Sequence, residues 1–210
     1  MNEHSFIFVI EMRTRDESKE ACIRVKAMEM IVTEGFEGLS MQKLAKAAAV
    51  SPATIYIYWK NREDLLNQLF QEVQETFTEV ALEGFTPELS LEVGLWLQWQ
   101  NRLRFIREYP VQFAFYEQFR HSPLINRGDM KFAVFKENMQ LFVANAVQKG
   151  EMRRIPPEVY WSLAYAPFYS LVRCKYQGKS MLSDCFDLTD DVMRMTFQMV
   201  IQALKPVQLP

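Results

Sequence analysis

The stretch that most limits how this chain can fold is Ser40–Leu66, SMQKLAKAAAVSPATIYIYWKNREDLL. Met41, Leu44, Ala45 and Ala48 are spaced i, i+3, i+4, i+7, which puts them on one face of a short helix. Ser40 stands where an N-cap belongs. A second start signal follows almost at once, with Ser51 as N-cap and Pro52 at the first helical position, where its missing N–H costs nothing. Val50 can bury in the turn between them. Two short helices joined by a tight turn form a helix-turn-helix, a unit whose second helix suits the major groove of duplex DNA.

The charges agree with that use. Met41 to Arg62 holds Lys43, Lys46, Lys60 and Arg62 and no acidic residue, although the chain as a whole carries a net charge of −2. A basic patch on a slightly acidic protein favours phosphate contact without general adhesion to polyanions. Thr54, Tyr56 and Tyr58, interleaved with these charges, are short-range hydrogen-bonding groups suited to phosphate oxygens. Ile55 and Trp59 read as core beneath them. A capped helix should follow, because Asn61 with Asp64 three residues on approximates a capping box.

Gly35-Phe36, Ser40, Leu44-Ala45, Val50-Ser51, Thr54 to Trp59 and Lys60 to Leu66 together resemble the DNA-binding domain of the TetR family of transcriptional regulators. The resemblance is specific over about Lys19 to Phe70 and beyond it rests on length and helical layout. It implies a base or phosphate contact for Gln42 and Lys43 at the exposed start of the supporting helix. Thr54, Tyr56 and Tyr58 match the family's phosphate-contacting positions. Ser51, Pro52 and Ala53 lead the reading helix, where Pro52 and Ala53 could only pack against thymine methyls. Lys60 and Arg62 then lie near a helix N-terminus that also favours an anion. One departure concerns the turn. Ala49 occupies the place of the family's usual glycine, which costs about 1 kcal/mol if φ there is positive.

Nearly half of the 210 residues are apolar, only seven are glycine, and no stretch alternates like a strand for long. The class is therefore all-α: an N-terminal three-helix helix-turn-helix domain followed by a C-terminal helical bundle. We place an N-terminal extension, disordered or lightly docked, at residues 1–15, the DNA-binding domain at 16–66, and an effector-binding and dimerisation domain at 67–210. Arg13 and Arg15 in that extension are either a DNA-reaching arm or a solvated tail. The first helix is expected from about Asp16 to Glu34, with Ala21, Val25, Met28 and Val32 as its buried stripe. A long helix should run from Asn61 to about Leu82, and further helices should begin at Ser90, Val111, Asp129, Pro157 and Thr189, with a loop at Ser122–Asp129.

Catalysis finds no support. His4 and His121 have no metal-ligand spacing, there is no glycine-rich phosphate loop and no GxSxG elbow, and no cofactor motif occurs. Cys22, Cys174 and Cys185 lack paired spacing and read as reduced thiols of a cytoplasmic protein. No run approaches the 18 or so apolar residues of a membrane span. The C-terminal portion is rich in rings, and the resemblance implies an effector pocket there. Trp96, Trp99, Phe113, Tyr116, Phe119, Phe135, Trp161, Tyr165, Phe168 and Tyr169 are the candidate walls, suited to a hydrophobic or aromatic molecule. Arg102, Arg120 or Arg173 could meet an acidic group on it, or lie on the surface. The last two helices offer a homodimer face through Trp161, Tyr165, Phe168, Tyr169 and Val172 on one and Val192, Met195, Met199, Val200 and Ala203 on the other. The expected protein is a homodimeric repressor of an operator, released by a small effector. The rival is a helical small-molecule-binding or interaction protein that no longer binds DNA.

Overall fold

The computed structural model describes the backbone of residues 3–120 and 133–206, and the side chains of 18–118 and 133–206. The expected loop Ser122–Asp129, the helix start at Asp129, and the side chains of Phe119, Arg120, Arg13 and Arg15 lie outside the described set. Among the described residues the chain is helical with no strand: α1 Glu3–Glu34, a 3-10 turn Phe36–Gly38, α2 Met41–Ala47, α3 Pro52–Tyr58, α4 Arg62–Leu82, α5 Leu91–Glu108, α6 Pro110–Arg120, α7 Ala133–Gln148, α8 Pro157–Gln177 and α9 Asp190–Leu204. The backbone is thus already helical well before the start expected near Asp16. None of the described helices is long and apolar enough to cross a membrane.

Two compact units emerge, and their division differs from a cut at residue 66. The first comprises Met1–Phe77 with Phe105–Lys131, and the second Thr78–Arg104 with Phe132–Pro210. The reason lies in the first unit's aromatic packing. Phe70 and Phe77 of α4 both stack on Tyr116 of α6, at 5.7 and 6.0 Å between ring centroids, so α6 belongs with the N-terminal helices. Gln118 of α6 also donates to the Val32 carbonyl of α1 at 3.2 Å.

Within that unit α1 buries Ile23, Ala27 and Ile31, a stripe at i, i+4, i+8, and adds Met28. The expected stripe is turned away from this one: Ala21 and Val25 are exposed and Val32 is only half-buried. Both faces of α1 are apolar enough to qualify, and Arg24 decides between them. Its guanidinium pairs with Glu20 and Glu72, each at 2.6 Å, and lies over the Trp59 ring at 5.4 Å. The three-helix core is completed by Leu39, Leu44, Ala45, Ile55, Trp59, Leu65, Leu66 and Leu69.

In the second unit the C-terminus of α4 is closed by side chains as well as by the backbone bonds from Glu83 N–H to Val80 and Phe85 N–H to Leu82. Gln98 donates to the Ala81 carbonyl at 2.7 Å, and Asn101 to Ala81 and Glu83 at 3.1 and 2.9 Å. These buried amides of α5 satisfy carbonyls that a helix end leaves orphaned. Gly84, at φ 67°, turns the chain out of the helix. Gly94 lets α5 approach α7 closely, because a Cβ there would fall 2.4 Å from Phe142. Thr189 caps α9 by accepting from the Val192 N–H at 3.3 Å, and Pro167 lies inside α8.

Candidate nucleic-acid interface

The reading head is set by its caps. Ser40 Oγ accepts from the Lys43 N–H and Ser51 Oγ from the Thr54 N–H, both at 3.2 Å, so both serines are helix N-caps. The Ser51 and Thr54 hydroxyls also bond to each other at 2.9 Å. Between α2 and α3 the chain reverses through Ala49, which takes φ 53° despite its Cβ. The expected strain is therefore present, and the turn holds through Val50 N–H to the Ala45 carbonyl at 2.9 Å.

α3 has two sharply different sides. Ile55 and Trp59 are buried, each worth about 2 kcal/mol or more of transfer free energy. Ser51, Pro52, Ala53, Tyr56 and Lys60 are exposed, while Thr54 and Tyr58 are half-buried. Gln42 and Lys43 are exposed on α2. Lys43 Nζ lies 3.4 Å from a carboxylate oxygen of Glu34. Ile57 belongs to the exposed side, a position that the sequence motif does not single out. At 75 % exposure, four residues after Ala53, it is an apolar side chain offered to solvent on the reading face. Its opposition to Ile55 in a helical period is the signal that marks it.

A hydrogen-bonded chain fixes the exit of α3 onto α4. Trp59 Nε1 donates to Gln68 Oε1 at 3.1 Å, and Gln68 Nε2 donates to Asp64 Oδ1 at 3.0 Å. Asp64 Oδ2 accepts the Lys60 N–H, and Asn61 Oδ1 accepts the Asp64 N–H, both at 2.8 Å. The Lys60 amide bond, helped by Gln68, holds the Asp64 carboxyl below its ordinary value.

Arg62 is not arranged as a phosphate ligand. Its Nε donates to the Leu39 carbonyl at 3.1 Å and its Nη2 to the Phe36 carbonyl, so the guanidinium straps α4 to the segment before α2. The half-buried guanidinium adds a second bond to the Phe36 carbonyl, which already accepts the Leu39 N–H at 3.2 Å, and reaches the Leu39 carbonyl at the end of the 3-10 turn.

The model described as "Bacterial regulatory proteins, tetR family" matches residues 23–69, the span of this head. The crystal structure of a TetR family transcription regulator from Marinobacter aquaeolei VT8 superposes with a TM-score of 0.73 at 30 % identity, covering 91 % of this chain and 98 % of that one. The chain belongs to the TetR family. The uncharacterized HTH-type transcriptional regulator YdeS of Bacillus subtilis is 34 % identical over 177 residues, 76 % of this chain and 81 % of its own. The fatty acid metabolism regulator protein of the same organism is 43 % identical over 53 residues, 25 % of this chain and 27 % of its own. TetR-family proteins are transcriptional regulators that bind DNA and dimerise, and they are not enzymes.

In this TetR-family chain the expected effector walls are drawn from both units. Tyr116 and the half-buried Phe113 lie in the first unit; the other described candidates lie in the second. Trp99 is core, fully buried against Phe168 and Phe197 with its Nε1 donating to the Ala164 carbonyl at 2.8 Å. Tyr169 is half-buried against Phe168. Trp96 lines an open cleft of about 400 Å³ between Phe197 and Arg194. Phe135, Trp161 and Tyr165 surround the Arg102 guanidinium at 5.5, 5.9 and 4.1 Å. Arg102 is buried and donates to Gln98, whereas Arg173 is exposed.

The expected dimer face also needs correction. Tyr165, Phe168, Val172 and Val200 are buried inside the unit. The large apolar side chains left exposed on the last two helices are Val159, Trp161, Leu163 and Tyr176 of α8 and Met195 and Met199 of α9. The two faces alternate within one helical turn, and hydrophobicity alone does not separate them.

Proposed function

We propose that this regulator is a repressor that reads an operator with α3 in the major groove and is released by a small hydrophobic or aromatic effector. The observation that carries the DNA-binding mode is the split of α3, with Ile55 and Trp59 anchored below and Pro52, Ala53, Tyr56 and Ile57 presented outward. The presented set is short and largely apolar. It favours thymine-methyl packing and DNA shape over a dense array of base hydrogen bonds. Gln42, Lys43, Ser51, Thr54, Tyr56, Tyr58 and Lys60 supply the phosphate-side contacts in this reading, and Arg62 supports them from behind.

Dimerisation through α8 and α9 would bring two such heads to half-sites about one helical turn apart. The exposed Val159, Leu163, Met195 and Met199 support that face. The aromatic content supports an apolar effector.

Mobility-shift titration with DNA from upstream of the protein's own gene, repeated across a salt series, tests the reading. Binding should weaken steeply with salt, and Lys60→Ala should flatten the logarithmic slope by about 0.9 for each phosphate it ceases to neutralise. Absence of binding at low salt would favour the rival reading, a helical interaction or small-molecule-binding protein without DNA.

A further inference from the structure

Gln74 of α4, in the first unit, is buried without a hydrogen-bonding partner among the described residues. It is 1 % exposed, and neither its Nε2 nor its Oε1 makes a hydrogen bond. A buried primary amide with both ends unmet is costly, because it has surrendered water on the donor and acceptor sides alike. Apolar side chains of similar shape would serve the core better unless the amide has work to do.

Its setting is aromatic. Phe70, Gln74 and Phe77 share one face of α4 by their i, i+4, i+7 spacing. Tyr116 lies nearly parallel to both flanking rings, with interplanar angles of 9° and 13°. Tyr116 is itself only half-buried, so this ring is the one through which a flat molecule could reach the row. The site therefore combines planar apolar surfaces with one unmet donor and one unmet acceptor on the same amide.

We infer that Gln74 is the polar anchor of the effector site, taking a planar, largely apolar molecule that carries a hydrogen-bond donor next to an acceptor, as a lactam or cyclic amide does. The ligand's carbonyl accepts from Nε2 and its N–H donates to Oε1, and its rings pack against this aromatic row. A hydrocarbon could fill the same space but would leave the amide unmet. A carboxylate would match only the donor and would set its charge against the Gln74 oxygen. This inference rests on the effector-responsive reading above and adds the chemical class.

The test uses the full chain, thermal unfolding, and 2-quinolone as the planar lactam, with naphthalene as the same ring system lacking the polar edge. Wild type should be stabilised by 2-quinolone, by about 2 °C or more, and not by naphthalene. Gln74→Met and Gln74→Leu should each raise the ligand-free Tm and weaken 2-quinolone binding at least about tenfold. Three results would overturn the inference: no shift of wild type with 2-quinolone, an equal shift in the Gln74 variants, or a lower ligand-free Tm in both variants, which would mean that a structural water satisfies the amide. The same proteins are run in the mobility shift. DNA binding by wild type and both variants with no lactam response sinks the anchor alone, and a lactam response without any DNA binding sinks the regulatory reading instead.

Discussion

Replacing Ala49 by glycine should stabilise this protein, although the substitution removes a methyl group and adds chain entropy to the unfolded state. Ala49 holds φ 53°, and it is the one non-glycine residue with positive φ among those described. A Cβ in the left-handed region costs about 1–2 kcal/mol. The greater freedom of glycine in the unfolded chain returns roughly 0.4–1 kcal/mol of that. Ala49 is exposed, so the methyl contributes little burial, and the flanking bonds from Ala49 N–H to Lys46 and Val50 N–H to Ala45 need no change. The net expectation is a gain of about 0.5–1 kcal/mol, or roughly 1–4 °C in Tm for a chain of this size. Scanning calorimetry at fixed protein concentration, paired with urea unfolding to confirm an unchanged m-value, measures it. Ala47→Gly is the control. It lies two residues earlier in the helical backbone of α2 and is also exposed, so it should lose about 0.5–1 kcal/mol. Opposite signs two residues apart are the signature of conformational strain. If both substitutions destabilise, Ala49 is not strained and the argument from φ fails.

Three further outcomes follow from the geometry. Arg62→Ala should cost about 2 kcal/mol of stability by removing the guanidinium bonds to the Phe36 and Leu39 carbonyls, with the salt slope of DNA binding unchanged; a normal Tm with a flatter slope would restore Arg62 as a phosphate ligand. The folded-state pKa of Asp64 lies below its ordinary 3.8, so its contribution is present at neutral pH and is lost as pH falls through that depressed value. Asp64→Asn should therefore shrink the acid-side fall in Tm, and identical acid curves for the two proteins would remove Asp64 from the account. Met199→Glu, at a side chain 63 % exposed, should yield monomers in sedimentation velocity and weaken operator binding roughly hundredfold through loss of the second head; a persistent dimer would move the interface elsewhere.

Much of the reading head was legible because its signals are local. Ser40, Ser51-Pro52 and Asn61 with Asp64 act within four residues of themselves, and capping chemistry is the same in any tertiary setting. The same holds for Thr189 before α9. The strain at Ala49 was readable only through the family resemblance, in which a glycine usually occupies that place in the turn.

What depended on distant partners was not readable. Arg62 looked like a phosphate ligand because a basic side chain beside a reading helix has two sinks, an anion outside or carbonyls inside. Only the Phe36–Leu39 turn brought beside it decides between them. The buried face of α1 likewise waited on Arg24 finding Glu72 and Trp59, and the membership of Tyr116 waited on Phe70 and Phe77. By itself the amino-acid order determined helix type, the capped helix ends and the family of the head, because backbone capping and apolar periodicity are short-range. Tertiary packing alone decided which side of α1, α8 and α9 is spent on the core, and it left Gln74 buried with nothing to bond among the described residues, because burial is a property of neighbours brought from elsewhere in the chain.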